Sequence, residues 1–239
     1  GVTQQVGIVS WGYVPCGESN LPSVYTRVSA FTEWIVQSQA DYYKNLRRWI
    51  FAGITNNANR SDGQEVFTNY AYVHEKYTGG VGPYDIAILH LETPLVFNDK
   101  VKPIALPYET EVVEGKGTLY GWGRTNSSLP VPEPLQRVDT TIMQFKECKA
   151  ALPSSAPIHE VNVCSSSLNA EVSACNGDSG GPFVKEDKNG VTQQVGIVSW
   201  GYVPCGESNL PSVYTRVSAF TEWIVQSQAD YYKNRNYCR

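Results

Sequence analysis

Gly177-Asp178-Ser179-Gly180-Gly181-Pro182 is the stretch of this chain best suited to do chemistry. Three glycines around one serine let the backbone approach a ligand closely and turn its amides inward. A serine in such a turn can attack a carbonyl carbon while neighbouring N–H groups stabilise the oxyanion that forms. Its hydroxyl needs a general base within hydrogen-bond reach. The chain offers three histidines for that task, His74, His90 and His159. Taken alone, such a string also reads as a Gly-rich turn that merely exposes a Ser.

All six residues resemble the nucleophile loop of the chymotrypsin-type serine proteases, and other segments match that family in order. Asp85-Ile86-Ala87-Ile88-Leu89 is similar to the strand that carries its triad Asp, and Gly121-Trp122-Gly123 to the first strand of its second barrel. Ser199-Trp200-Gly201 resembles the segment that pairs with substrate backbone. Pro211-Ser212-Val213-Tyr214-Thr215-Arg216-Val217 resembles the last strand before the terminal helix. The resemblance covers residues 46–239. It implies an all-β fold of two antiparallel six-stranded β-barrels, the first incomplete here, with a C-terminal α-helix.

By the same resemblance Ser179 is the nucleophile and Asp85 orients the catalytic His. The amides of Gly177 and Ser179 form the oxyanion hole. Asp178 pairs with the N-terminal amine that zymogen cleavage creates. Cys148–Cys164 and Cys175–Cys205 match two family disulfides. The substrate-binding residues are Ser173, Ser199, Trp200, Gly201 and Ser212. Trypsins carry an Asp six residues before the nucleophile, where this chain has Ser173. A neutral floor leaves a cationic side chain unpaired in a buried site, which is costly. Gly201 leaves the entrance open and Ser212 shortens the pocket. The expected preference is apolar, chymotrypsin-like to elastase-like.

Two departures weigh against activity. The family's Thr-Ala-Ala-His-Cys segment with the catalytic His is absent, and so is the mature Ile-Val-Gly-Gly start. Asp178 therefore has no evident partner. His90 lies five residues past Asp85, which on a strand places it on the opposite face, about 16 Å away. His74 matches a structural position, and His159 lies between Cys148 and Cys164; both read as packing or surface histidines. Losing the His of such a triad lowers turnover about a million-fold, some 8 kcal/mol of barrier. The chain is expected to be an impaired serine endopeptidase, or else a non-catalytic homologue that acts as a binding protein.

The elements that must position these residues are short strands separated by turns. Trp49–Ile54, Glu65–His74, Tyr84–Leu91, Gly117–Gly121, Leu135–Ile142, Val195–Trp200 and Ser212–Val217 read as strands, a spacing that suggests a sandwich or barrel. A helix follows with Ser218 as its N-cap. Pro103–Gly115 reads as a linker between halves. Residues 1–45 repeat residues 190–234 without one substitution. A perfect copy fits either a very recent rearrangement or a misjoined sequence, the second favoured. It stands where the family has the first half of its first barrel. The expected organisation is this duplicated segment (1–45), not packed as in the family, a first-barrel remnant (46–107), and the second barrel with its helix (117–239).

Composition closes off other classes. A net charge of −4 is too small and of the wrong sign for a nucleic-acid binder or a polybasic membrane anchor. No apolar run reaches the roughly 18 residues of a membrane-spanning helix. Six cysteines without a CxxC pair disfavour zinc and favour disulfides in an oxidising compartment. The reading is a secreted, extracellular monomer that takes protein or peptide substrates and needs no metal or cofactor. With Gly1 first and Met143 the only Met, it reads as a processed form or a fragment.

Overall fold

A computed structural model describes residues 7–11, 24–27, 48–68, 70–126, 129–166, 173–206 and 209–236. The chain divides into two compact units, 1–46 and 47–239. In the first, β1 (Gly7–Trp11) and β2 (Val24–Arg27) form an antiparallel two-stranded sheet. The helix expected in the first copy, and both Cys16 and Cys238, lie outside the described residues.

The second unit is built on a closed barrel of six antiparallel strands. These are β7 (Gly115–Gly121), β8 (Gln136–Met143), β9 (Asn162–Ser165), β10 (Pro182–Glu186), β11 (Thr192–Trp200) and β12 (Ser212–Arg216). Around the barrel they run β10-β11-β12-β9-β8-β7. Along β8, exposure alternates as its sequence alternates, because successive side chains point to opposite faces. The inward set includes Leu119, Ile142, Val163, Val195 and Tyr214, with Phe183 stacked on Tyr214 at 4.5 Å. Burial lifts the Tyr214 phenol to about 12, so it stays neutral, sharing a hydrogen bond with the Ser165 hydroxyl at 3.0 Å.

Before the barrel come β3 (Arg48–Ala52), β4 (Gln64–Thr68), β5 (Tyr70–Val73) and β6 (Ala87–His90). Among the described residues they pair as two separate two-stranded sheets, β3 with β4 and β5 with β6. The strand expected over Glu65–His74 is thus two strands with different partners. The strand expected over Tyr84–Leu91 begins only at Ala87. Asp85 lies before it, so strand alternation does not apply between Asp85 and His90.

One further expectation changes, and one element is new. Ser218 is not an N-cap: it is buried in a 3-10 turn, Val217–Ala219, where its hydroxyl accepts from Arg216 at 2.9 Å. The terminal helix starts at Thr221, whose hydroxyl donates to the Pro107 carbonyl at 2.9 Å. A short helix, α1 (Phe145–Ala151), was not expected; Glu147 accepts the N–H of Gln144 and so caps it. The terminal helix is α2 (Thr221–Asn236). The segment read as a linker, Pro103–Gly115, is tied to the barrel. Val113 is buried in the barrel core, Gln144 donates to its carbonyl, and Ala105 bridges to Gln193.

Candidate active site

Ser179 sits exposed in the turn between Cys175 and β10. The loop is pinned to β11 on both sides: Gly180 donates to the Val198 carbonyl at 2.9 Å, and Val198 donates to the Gly181 carbonyl at 3.0 Å. Asp178 and Gly181 spend their amides on Cys175 and Asp178 carbonyls. Among the described residues, the amides of Gly177 and Ser179 have no protein acceptor. Gly177 reaches this geometry with φ +103°, a region that favours glycine.

Asp178 is buried, and it has partners that the sequence did not reveal. One carboxylate oxygen accepts from Gly123 at 2.8 Å and the other from Cys175 at 2.9 Å. Gly121 and Gly123 must be glycine for this approach, since a Cβ on either would collide with the carboxylate. The loop is therefore tied to the start of the barrel through backbone donors.

Asp85 arrives on a tight turn. Ile86 donates to the Tyr84 carbonyl at 2.8 Å, and Tyr84 takes φ +64°, sparsely populated for a side chain of its bulk. That turn throws the carboxylate onto the barrel. The Ser199 hydroxyl donates to it at 2.7 Å, and the Thr215 hydroxyl donates to the Asp85 carbonyl at 2.8 Å. Ser199 can do this because the β11–β12 register shifts between Val198 and Trp200. As the extra residue of a bulge, it has its side chain re-aimed. Burial raises the Asp85 carboxyl above the usual carboxylate value, and hydrogen bonds from Ser199 and Tyr77 partly offset the rise.

The His74 ring lies between Tyr84 and Trp223, each at 4.9 Å, and its Nδ1 accepts from the Lys76 amide at 3.1 Å. His90 packs on Tyr231 at 3.6 Å. His159 is exposed on the α1–β9 loop.

Beside Ser179 lies a cavity of about 220 Å³ lined by Asn176, Val198, Ser199, Trp200, Gly201 and Tyr202, among others. Its lining carries no charged side chain. Ser173, expected on the pocket floor, and Ser212, expected to shorten the pocket, are not among the residues that line it. Ser173 faces a second cavity of about 310 Å³ with Asp178, its hydroxyl accepting from Gly206 at 2.9 Å. The Ser212 hydroxyl is buried, accepting from Ala174 at 3.0 Å, and would lie 3.9 Å from a Cβ on Gly201. Sequence reasoning missed Asn176 and Tyr202. Their places next to the nucleophile loop and to Gly201 were the available signal. The Cys148–Cys164 and Cys175–Cys205 bridges are both present, with Cα separations of 6.0 and 5.5 Å.

The trypsin family model matches residues 1–35 and 42–224. This chain belongs to the trypsin family. It is 46% identical to lectizyme of Glossina austeni over 166 residues, covering 66% of this chain and 60% of that protein. To anionic trypsin of Canis lupus familiaris it is 37% identical over 216 residues, 89% of this chain and 79% of the relative. To transmembrane protease serine 11G of Rattus norvegicus it is 32% identical over 200 residues, 81% of this chain but only 46% of the relative. The chain thus spans well under two thirds of several trypsin-family relatives. Among the described residues, no helix is long and apolar enough to cross a membrane.

Proposed function

We propose that this trypsin-family chain keeps the acylating Ser179 and the orienting Asp85 of a serine endopeptidase but lacks the imidazole that must work between them. The observation that carries the reading is the Ser199–Asp85 hydrogen bond at 2.7 Å beside a loop whose Gly177 and Ser179 amides have no acceptor among the described residues. In a complete triad the His takes the Ser proton, and the buried Asp holds it in the right tautomer. With the His absent, Asp85 is only a weak substitute, because a carboxylate is a poor base toward a hydroxyl. Gly177 and Ser179 would still stabilise an oxyanion, and Asp178, clamped by Gly123 and Cys175, would hold that loop. In this reading residues 46–107 are the first-barrel remnant, and residues 117–239 carry the working half.

The uncharged cavity supports neutral, apolar side chains as the occupants of the specificity pocket, on proteins or peptides outside the cell. A non-catalytic binding role is the second reading, supported by the same open cavity. A fluorophosphonate probe separates competence from its absence, since it needs an activated Ser and a formed oxyanion hole. Labelling of the chain is expected to stay at the level of a Ser179→Ala control. Labelling at the rate of a complete relative would mean that one of the three histidines reaches Ser179.

A further inference from the structure

We propose that residues 1–45 can take the place of residues 190–234 in the barrel, so that the wall beside Ser179 has two interchangeable occupants. The inference rests on the barrel and the repeat, not on the protease reading. The two segments are identical, so every side-chain contact that one makes inside the barrel the other can make. Their hairpins are also identical in register. Gly7 pairs with Arg27, Ile8 with Thr26, Val9 with Tyr25 and Trp11 with Val24, with a shift between Val9 and Trp11. In the barrel Gly196 pairs with Arg216, Ile197 with Thr215, Val198 with Tyr214 and Trp200 with Val213, with the same shift. The copy has therefore already formed the bulge that aims Ser199 at Asp85, and Ser10 holds that position in it. Alone, a two-stranded hairpin is marginal in water and leaves two edges unpaired, whereas the barrel would pair both.

Chain connectivity permits the exchange. Tyr231 near the end of α2 lies against Tyr70 at 5.4 Å. Tyr70 is two residues past Thr68, which pairs with Arg48 at the start of β3. With the copy seated, Tyr42 would hold the place of Tyr231. The six residues from Tyr42 to Arg48 span up to about 20 Å, enough to rejoin β3 without threading the chain.

Connectivity also decides which occupant dominates. Residues 190–234 are joined to β10 by a tight turn. There Asp187 donates to the Val191 carbonyl, and its carboxylate accepts the amides of Asn189 and Val191 at 2.8 Å each. The exchanged state loses this turn. A few exposed hydrogen bonds correspond to roughly 10- to 1000-fold. Residues 190–234 should therefore be the major occupant and residues 1–45 the minor one.

The disulfide records the occupant. Cys16 holds in the copy the position of Cys205. The Cys16 thiolate attacks the Sγ of Cys175, the Cys175–Cys205 bond breaks, and Cys205 leaves as the thiolate, with no net oxidation. The full chain should be refolded in a glutathione redox buffer, acid-quenched, alkylated, and cleaved after Lys and Arg. The Cys16 peptide (1–27) and the Cys205 peptide (189–216) differ only by Asn189, so their masses tell them apart. Monomeric wild type is expected to hold roughly 0.1 to 10% Cys16–Cys175. In Cys205→Ala that bond should become the main one, and Arg216 should become open to limited cleavage. Folded Cys205→Ala with Cys175 unpaired, or with Arg216 still protected, overturns the proposal. So does Cys16–Cys175 found only in covalent dimers. If Cys205→Ala fails to fold, the wild-type map decides, and less than about 0.1% of the bond overturns it.

Discussion

Asp85 shows how much a single residue's setting alters its chemistry. Its carboxyl is raised above the ordinary 3.8, first by burial. A group whose folded value is raised favours the folded state below its unfolded value and loses that contribution as pH rises through the folded value. Ionised Asp85 therefore costs stability at neutral pH. Asp85→Asn keeps an acceptor for Ser199 and is expected to raise the melting temperature at pH 7, with the gain disappearing near pH 3. Thermal unfolding at the two pH values checks this, and a lower melting temperature at pH 7 would contradict it. The types and order of Ser179, Asp85 and Ser199 were legible in the sequence because each sits in a string that few other contexts share. The aim of Ser199 was not, since it depends on a register shift between two strands. Nor was the placement of Ser173 and Ser212, because where each hydroxyl points depends on the backbone amide it accepts from, Gly206 and Ala174. The amide partners of Asp178 were hidden likewise, as Gly123 lies 55 positions away.

Elements differed in legibility for physical reasons. β8 and β11 are the longer strands and both were readable, β8 showing alternation and β11 apolar residues on both faces. α1 has seven residues, about two turns, too few for a helical period to stand out. The first turn after β12 was misread because Ser218 serves Arg216 inside the fold rather than a helix end. The docking of α2 rests on aromatic contact more than on amphipathic pattern: Trp223 stacks on His74 and on Tyr72, and its Nε1 donates to Glu75 at 3.1 Å. Burial lowers the His74 imidazole below 6.5, Glu75 opposes the shift, and Lys76 adds to it. A depressed value means stability that is present above 6.5 and lost as pH falls through the folded value. Trp223 fluorescence during denaturation should therefore report weaker docking at pH 5 than at pH 7. His74→Phe should flatten that difference while costing about 1 kcal/mol for the lost Lys76 hydrogen bond. An unchanged pH dependence in that variant would assign the effect elsewhere.

At the scale of the whole molecule, the proposed reading makes the halves of the trypsin-type plan unequal. The closed barrel carries the Ser179 loop, the Ser199 bulge and the uncharged cavity, while residues 1–45 repeat residues 190–234. On that reading substrate preference should reside in the closed barrel. Replacing residues 1–45 by a family segment with an Ile-Val-Gly-Gly start and the Thr-Ala-Ala-His-Cys string would supply the two groups that the proposed reading finds lacking. The His would stand between Ser179 and Asp85, and the new amine would join Gly123 and Cys175 at the Asp178 carboxylate. Activity in this hybrid should appear after Phe, Tyr, Leu or Met. The cavity lining holds no carboxylate, so a Lys or Arg side chain would enter without a counter-ion. An unpaired charge in such a site costs about 3 kcal/mol or more, at least a hundredfold in kcat/KM. Assay of paired peptides differing only at that residue measures the ratio directly. A hybrid that prefers arginyl peptides would show that a charge outside this cavity sets the preference, and one that cleaves nothing would place the defect in the barrel half itself.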